Sequence, residues 1–133
     1  MSDTRLTLRV DFGSSRSIGP GKIRLLEAIA RSGSISQAGR ALGMSYRRAW
    51  LLIDDMNQCF RHAVVSARPG GSQGGGAVLT EFGAELVRDY RAIETAAEVA
   101  AKKRLRGLEA ALRKSQAAKS AKPKKTSIRR RKP

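Results

Sequence analysis

The sequence predicts a mainly α-helical fold with a small β-wing, and three observations carry that prediction. Ser34 to Phe60 reads as two short amphipathic helices joined by a tight turn at Gly43, the layout of a helix-turn-helix. Two strand-like runs, Ala63 to Arg68 and Ala77 to Leu79, follow at once and enclose the glycine-rich loop from Pro69 to Gly76; a hairpin in that position is a wing. A long helical pattern then runs from Thr80 to about Arg113. The organisation expected is a winged helix-turn-helix over residues 1–79, a long dimerisation helix over 80–113 and a disordered basic tail over 114–133.

Each element has its own signal. Leu6, Leu8, Val10 and Phe12 alternate with Thr7, Arg9 and Asp11, the period-two pattern of a half-buried strand. Gly13 to Ser17 reads as a turn. The first helix is expected from Pro20 to about Arg31, because proline suits a first turn that does not need its missing N–H. Ile23, Leu26 and Ala30, with Leu25 and Ile29 beside them, form its apolar stripe. Ser34 to Gln37 has the capping-box pattern, with Ser34 as N-cap and Gln37 at the third helical position. The second helix then runs to about Leu42, and its Ala38, Gly39 and Ala41 allow close approach. Gly43 tolerates the left-handed conformation that ends it. Ser45 caps the third helix, which buries Ala49, Ile53, Met56 and Phe60 and turns Tyr46, Arg47, Trp50 and Asp54 elsewhere. Thr80 caps the last helix, in which Phe82, Leu86, Tyr90, Ile93, Ala97 and Ala100 follow a near-heptad spacing. At 1.5 Å per residue it would reach ~50 Å, more than so small a domain can bury. Leu86, Tyr90, Ile93, Ala97 and Ala100 are therefore expected to pair two copies of the chain.

Charge points to the partner. The 133 residues hold 27 Lys+Arg against 11 Asp+Glu, a net charge of +16, which suits a polyanion such as nucleic acid. Residues 114–133 carry nine of the basic residues and no acid, leaving +7 on residues 1–113. Cys59 is the only cysteine, so no internal disulfide can form, which fits a reducing cytosol. No run approaches the ~18–20 apolar residues of a membrane span. The expectation is a cytoplasmic, nucleoid-associated protein with no membrane partner.

Catalysis finds little support. Asp54 and Asp55 are adjacent, so they point in different directions on a helix. Cys59 and His62 cannot complete a metal site without further ligands. The glycine loop lacks the G-x-x-x-x-G-K-[ST] pattern of a phosphate-cradling loop. No enzyme activity, cofactor or metal is expected.

The run LLEAIARSGSISQAGRALGMSYRRAW from Leu25 to Trp50, the triplet Met56-Asn57-Gln58 and GGGAVLTEFG from Gly74 to Gly83 resemble the N-terminal DNA-binding domain of the molybdate-responsive ModE family, which belongs with the LysR-type winged helix-turn-helix. The resemblance covers roughly residues 5–95. It implies a dimeric, sequence-specific transcriptional regulator that binds double-stranded DNA, with a link to molybdenum metabolism. Longer members of that family continue into molybdate-binding domains, whereas this sequence continues into a helix and a basic tail. No molybdate site is expected in this chain.

Tyr46, Arg47, Arg48 and Trp50 are the expected groove contacts. Arginine can donate two hydrogen bonds to guanine, and Arg48, nearer the side of the helix, suits phosphate. Trp50 is read equally as a sugar or thymine-methyl contact and as part of the core. Ser34, Ser36 and Gln37 open the second helix and Ser45 the third, where backbone N–H groups can hold phosphate; the plainer reading is capping alone. Arg68, Ser72 and Gln73 of the wing are expected to approach the backbone or minor groove. A rival reading is an architectural protein that coats DNA through its basic tail. A third, a small oxyanion sensor, would need molybdate binding.

Overall fold

The structure is a computed structural model that describes residues 3–68 and 76–114. Ser72, Gln73 and the tail beyond Lys114 lie outside the described residues. The elements are β1 (Val10–Phe12), β2 (Arg16–Ile18), α1 (Pro20–Ser32), α2 (Ile35–Ala41), α3 (Tyr46–Cys59), β3 (Val65–Arg68), β4 (Gly76–Leu79) and α4 (Glu81–Ala110). Three helices followed by a hairpin and a fourth, long helix make a winged helix-turn-helix.

The start of the chain differs from the single strand expected. β1 and β2 form an antiparallel hairpin in which Val10 faces Ile18, turned by Gly13 at φ 84°. Continuing that register would set Leu8 opposite Pro20, which has no N–H and already begins α1, so pairing stops at Val10. Leu6 and Leu8 keep their half-buried alternation without strand pairing. The Leu8 carbonyl instead accepts a hydrogen bond of 2.7 Å from the Tyr90 hydroxyl of α4.

α1 ends at Gly33, whose φ of 71° is left-handed and whose N–H donates to the Ile29 carbonyl at 2.8 Å. Its buried residues are Ile23, Leu25, Leu26, Ala28 and Ile29; Ala30, expected in the apolar stripe, is exposed, as are Arg31 and Ser32 after it at the end of the helix. α1 thereby serves two apolar clusters. Leu25, Ala28 and Ile29 pack with Ile35, Ala38, Ala49, Ile53 and Ala77 beneath the helix-turn-helix and wing. Ile23 and Leu26 pack with Ile18, Met56, Val64, Leu86 and Tyr90 beneath the first turns of α4.

Polar contacts fix α4 at both ends of this packed stretch. Thr80 Oγ1 accepts from the Gly83 N–H at 2.9 Å and donates to the Ala63 carbonyl at 2.6 Å. The Thr80 N–H donates to the Val64 carbonyl at 3.0 Å, and Asn57 Oδ1 accepts from the Val64 N–H at 2.8 Å. Gly83 lies directly against Val64: a Cβ there would overlap the Val64 carbonyl oxygen and come within 3.0 Å of its carbon. Further along, Arg91 donates two hydrogen bonds to Glu27 of α1, at 3.0 and 2.9 Å, and one to Glu94 at 2.7 Å. The Arg91 guanidinium holds the Glu27 carboxyl below the usual carboxylate range, and the two carboxylates raise Arg91 in turn.

Leu86 and Tyr90, expected to pair two copies, are 7% and 1% exposed within the chain's own core. Burial is also what raises the Tyr90 phenol. Of the five residues expected to pair copies, Ile93, Ala97 and Ala100 remain outside that core, with Ile93 48% exposed. The chain divides into two units, residues 1–101 and 102–133. The second contains the last turns of α4, where Leu108 is exposed, and Leu112 just beyond, also exposed.

Candidate DNA-reading face

α3 is seated by its buried residues Ala49, Ile53 and Met56. The turn before it depends on Gly39 and Gly43. Gly43 takes φ 71°; a Cβ on Gly39 would lie 3.3 Å from the Met44 carbonyl oxygen and 3.5 Å from the Ala49 methyl. The Met44 N–H closes the turn on the Gly39 carbonyl at 2.9 Å. Ser45 then caps α3 by accepting from the Arg48 N–H, and Ser34 caps α2 by accepting from the Gln37 N–H, each at 3.0 Å. Both side-chain caps stand where the sequence puts them.

With Ala49, Ile53 and Met56 inward, Tyr46, Arg47, Arg48 and Trp50 are all exposed. Tyr46 and Trp50 meet edge to face, ring centroids 6.4 Å apart. Trp50 is 44% exposed and also lines a cleft of about 320 Å³ between α3 and the wing, with Ser34, Ser36, Tyr46, Asn57 and Ala77 among the other walls. The acidic residues of α3 sit in its C-terminal half: Asp54 accepts from Gln58 at 3.2 Å, and Asp55 lies 3.8 Å from the Lys22 ammonium. The charged residues of the N-terminal half are therefore both cations, Arg47 and Arg48; on α2 the Arg40 guanidinium reaches Ser36 Oγ at 3.4 Å.

The wing stands beside this face. β3 and β4 pair antiparallel, Arg68 opposite Gly76, and the Ala77 N–H donates to the Gly33 carbonyl at 2.9 Å. Arg68 folds back across two glycines. A Cβ on Gly76 would lie 2.9 Å from the Arg68 Cβ, and one on Gly33 would lie 2.5 Å from its guanidinium. Its charge therefore rests at the C-terminal end of α1, where the helix dipole favours a cation. Ser34, Ser36, Tyr46 and Trp50 are brought together around the cleft; Gln37 is exposed on α2.

Three residues of this region were not singled out from the sequence. Arg40, in the last turn of α2, reaches back to Ser36, and Asn57 ties the end of α3 to Val64. Leu51, 51% exposed, stands on the outer face of α3. Its place two residues from both Ala49 and Ile53, and so opposite the buried stripe, was the available signal.

Comparison with known proteins agrees with this geometry. Residues 21–84 match the bacterial regulatory helix-turn-helix proteins of the lysR family. The chain carries a LysR-type helix-turn-helix domain. The match spans α1 through the first turn of α4, so the LysR-type domain includes the Thr80–Gly83 junction. Among curated relatives, the molybdenum transport protein ModE of Azotobacter vinelandii is 44% identical over 90 residues, 68% of this chain and 33% of that protein. The DNA-binding transcriptional dual regulator ModE of Escherichia coli is 49% identical over 71 residues, 53% of this chain and 27% of that protein. The molybdenum-pterin-binding protein MopB of Rhodobacter capsulatus is 49% identical over 77 residues, 58% of this chain and 28% of that protein. The matched stretch thus spans a third or less of these relatives. A solved structure, the CbnR_DBD-DNA complex, shares the fold of the LysR-type domain with a TM-score of 0.51 at 20% identity, covering 69% of this chain and 97% of that one. Among the described residues no helix is long and apolar enough to cross a membrane, and no cluster of His, Cys, Asp or Glu is set to hold a metal.

Proposed function

We propose that this chain is a sequence-specific, DNA-binding transcriptional regulator that acts as a homodimer in the bacterial cytoplasm, with operators tied to molybdenum metabolism. The observation that carries the reading is the exposed start of α3, whose only charged residues are Arg47 and Arg48, beside a wing. Tyr46, Arg47 and Trp50 enter the major groove, where Arg47 can take a guanine edge. Arg48 and Arg40 meet the flanking phosphates, as do the backbone N–H groups opened by Ser34, Ser36, Gln37 and Ser45. Such contacts fix register and orientation. Arg68 acts from the loop end of β3, with Ser72 and Gln73 later in the wing sequence. The link to molybdenum rests on the names of the relatives. The part of those proteins matched here is the helix-turn-helix part, so molybdate itself is not expected to bind this chain stoichiometrically, and no catalysis is expected of it.

The case for a dimer comes from α4. Ile93, Ala97 and Ala100 continue, at 3–4 spacing, the face that buries Leu86 and Tyr90, but no residue of the core covers Ile93. A second copy of the helix is the simplest cover. In sedimentation, Ile93→Glu is expected to yield a folded monomer; an unchanged dimer would place the interface elsewhere.

A footprint tests the function. At moderate salt the chain is expected to protect a discrete pseudo-palindromic site, its half-sites one or more helical turns apart. Uniform coating of any DNA would favour an architectural protein that acts through its basic tail.

A further inference from the structure

Leu51 has no place in the packing just described. Its relative exposure is 51%, while its chain neighbour Leu52 packs against the core beneath the helix-turn-helix. A single exposed leucine is ordinary on a protein surface. This one adjoins Trp50 in sequence on the outward side of α3, where Trp50 and Tyr46 are 44% and 57% exposed. Three large apolar side chains thus stand uncovered on a helix whose outward side otherwise carries charge. Arg47, one turn before Leu51, and Arg48 are the cations beside them. Leu51 has these arginines on its N-terminal side and Asp54 and Asp55 one turn on; an apolar contact beside arginines complements one surface in particular, the major groove of duplex DNA. There phosphates line the rim, and the C5-methyl of thymine is the apolar feature of the base edges.

We infer that Leu51 is a specificity-determining residue that reads a thymine methyl group in each half-site, next to the position taken by Arg47. The inference rests on the reading of α3 as the DNA-reading helix and adds to it a base identity and the residue that selects it. Arg47 supplies hydrogen bonds to a base edge. Leu51, at i+4, lies one turn further along α3 and meets a neighbouring base pair, where a methyl group exchanges water for a leucine side chain. Adenine, cytosine and guanine offer no such group in the groove, so preference for thymine follows from burial alone.

The test uses the full chain. A site is first selected from a pool of random duplexes; each thymine of the half-site is then replaced in turn by uracil, which removes only the methyl group. Affinities are read by fluorescence anisotropy. At one position per half-site, uracil is expected to weaken the wild-type chain about fourfold, the cost of leaving one methyl group unburied. In Leu51→Ala, thymine and uracil are expected to bind within about 1.5-fold of each other at that position. Alanine favours helix and Leu51 is exposed, so the variant should fold; far-UV circular dichroism checks that it does. A wild-type chain indifferent to uracil at every position overturns the inference, as does a uracil penalty that survives in Leu51→Ala. Either result would leave Leu51 to a protein partner or to bare solvent, with the DNA-reading role of α3 intact. Failure of the wild-type chain to select any sequence would overturn that role itself.

Discussion

Gly83→Ala is expected to destabilise the chain, although glycine to alanine in a helix usually does the reverse. The added methyl would overlap the Val64 carbonyl oxygen and come within 3.0 Å of its carbon and 3.2 Å of its Cα. All three are backbone atoms, so no side chain can swing aside. Val64 is also held from both sides, its N–H by Asn57 and its carbonyl by Thr80. Relief requires α4 to lift away from Val64, just before β3. Overpacking of this kind costs about 1–3 kcal/mol, and weakening the two hydrogen bonds at Thr80 costs about 1 kcal/mol each. The helix preference of alanine returns about 1 kcal/mol. The net loss is about 2–4 kcal/mol, which for a domain this size lowers the melting temperature by about 10–30 °C. Thermal unfolding followed by circular dichroism reads it directly. Gly21→Ala, in α1 with no atom within 4 Å of the added carbon, is the matched control and should leave the melting temperature unchanged or slightly raised. If Gly83→Ala matched that control, the reasoning from close backbone approach would be refuted.

Other expectations follow from the same contacts. Because Arg91 lowers the pKa of Glu27 in the folded state, this pair's contribution is fully present above the ordinary value of 4.5 and is lost as pH falls through the depressed folded value. Urea unfolding at neutral and acid pH should therefore show less acid destabilisation in Glu27→Gln than in the wild type. Tyr90→Phe leaves the Leu8 carbonyl without its 2.7 Å donor and should cost about 1–2 kcal/mol, with faster amide exchange in residues 6–10 as the local sign. Arg47→Ala should lose about 1–3 kcal/mol on a selected site and little on random DNA. Removal of residues 114–133 should weaken both about equally and flatten the salt dependence; gel shifts over a salt series separate the two effects.

The elements that announce themselves in the sequence are those whose cause is local. Gly43 ends a helix because of its own φ, Ser34 and Ser45 cap because of their own hydroxyls, and Ala49, Ile53 and Met56 repeat at the helical period. Elements set by distant partners were less legible. The β1–β2 hairpin depends on where α1 begins, so Arg16 and Ser17, now in β2, read as part of a turn. Leu86 and Tyr90 carry the spacing of a pairing face, but α1 and α3 reach them first, and periodicity cannot say which neighbour will cover a stripe. Arg68 reads as a wing cation from its place in the sequence, whereas its lie across Gly33 and Gly76 appears only in three dimensions. Beyond its place opposite Ala49 and Ile53, Leu51 carries no local signal of its own, because a single exposed leucine is ordinary on a protein surface.

The junction of Asn57, Val64, Thr80 and Gly83 has a consequence for how a dimer would measure DNA. The end of α3, the proposed reading helix, is fastened through Asn57 to Val64 just before β3, and Val64 through Thr80 to the start of α4, the helix proposed to pair. There is no loose joint in the sequence of contacts to take up slack. In the proposed dimer, the distance between the two reading helices is then a fixed gauge written into the protein. An operator must meet that gauge, and one extra base pair between its half-sites would have to be accommodated by twisting the DNA.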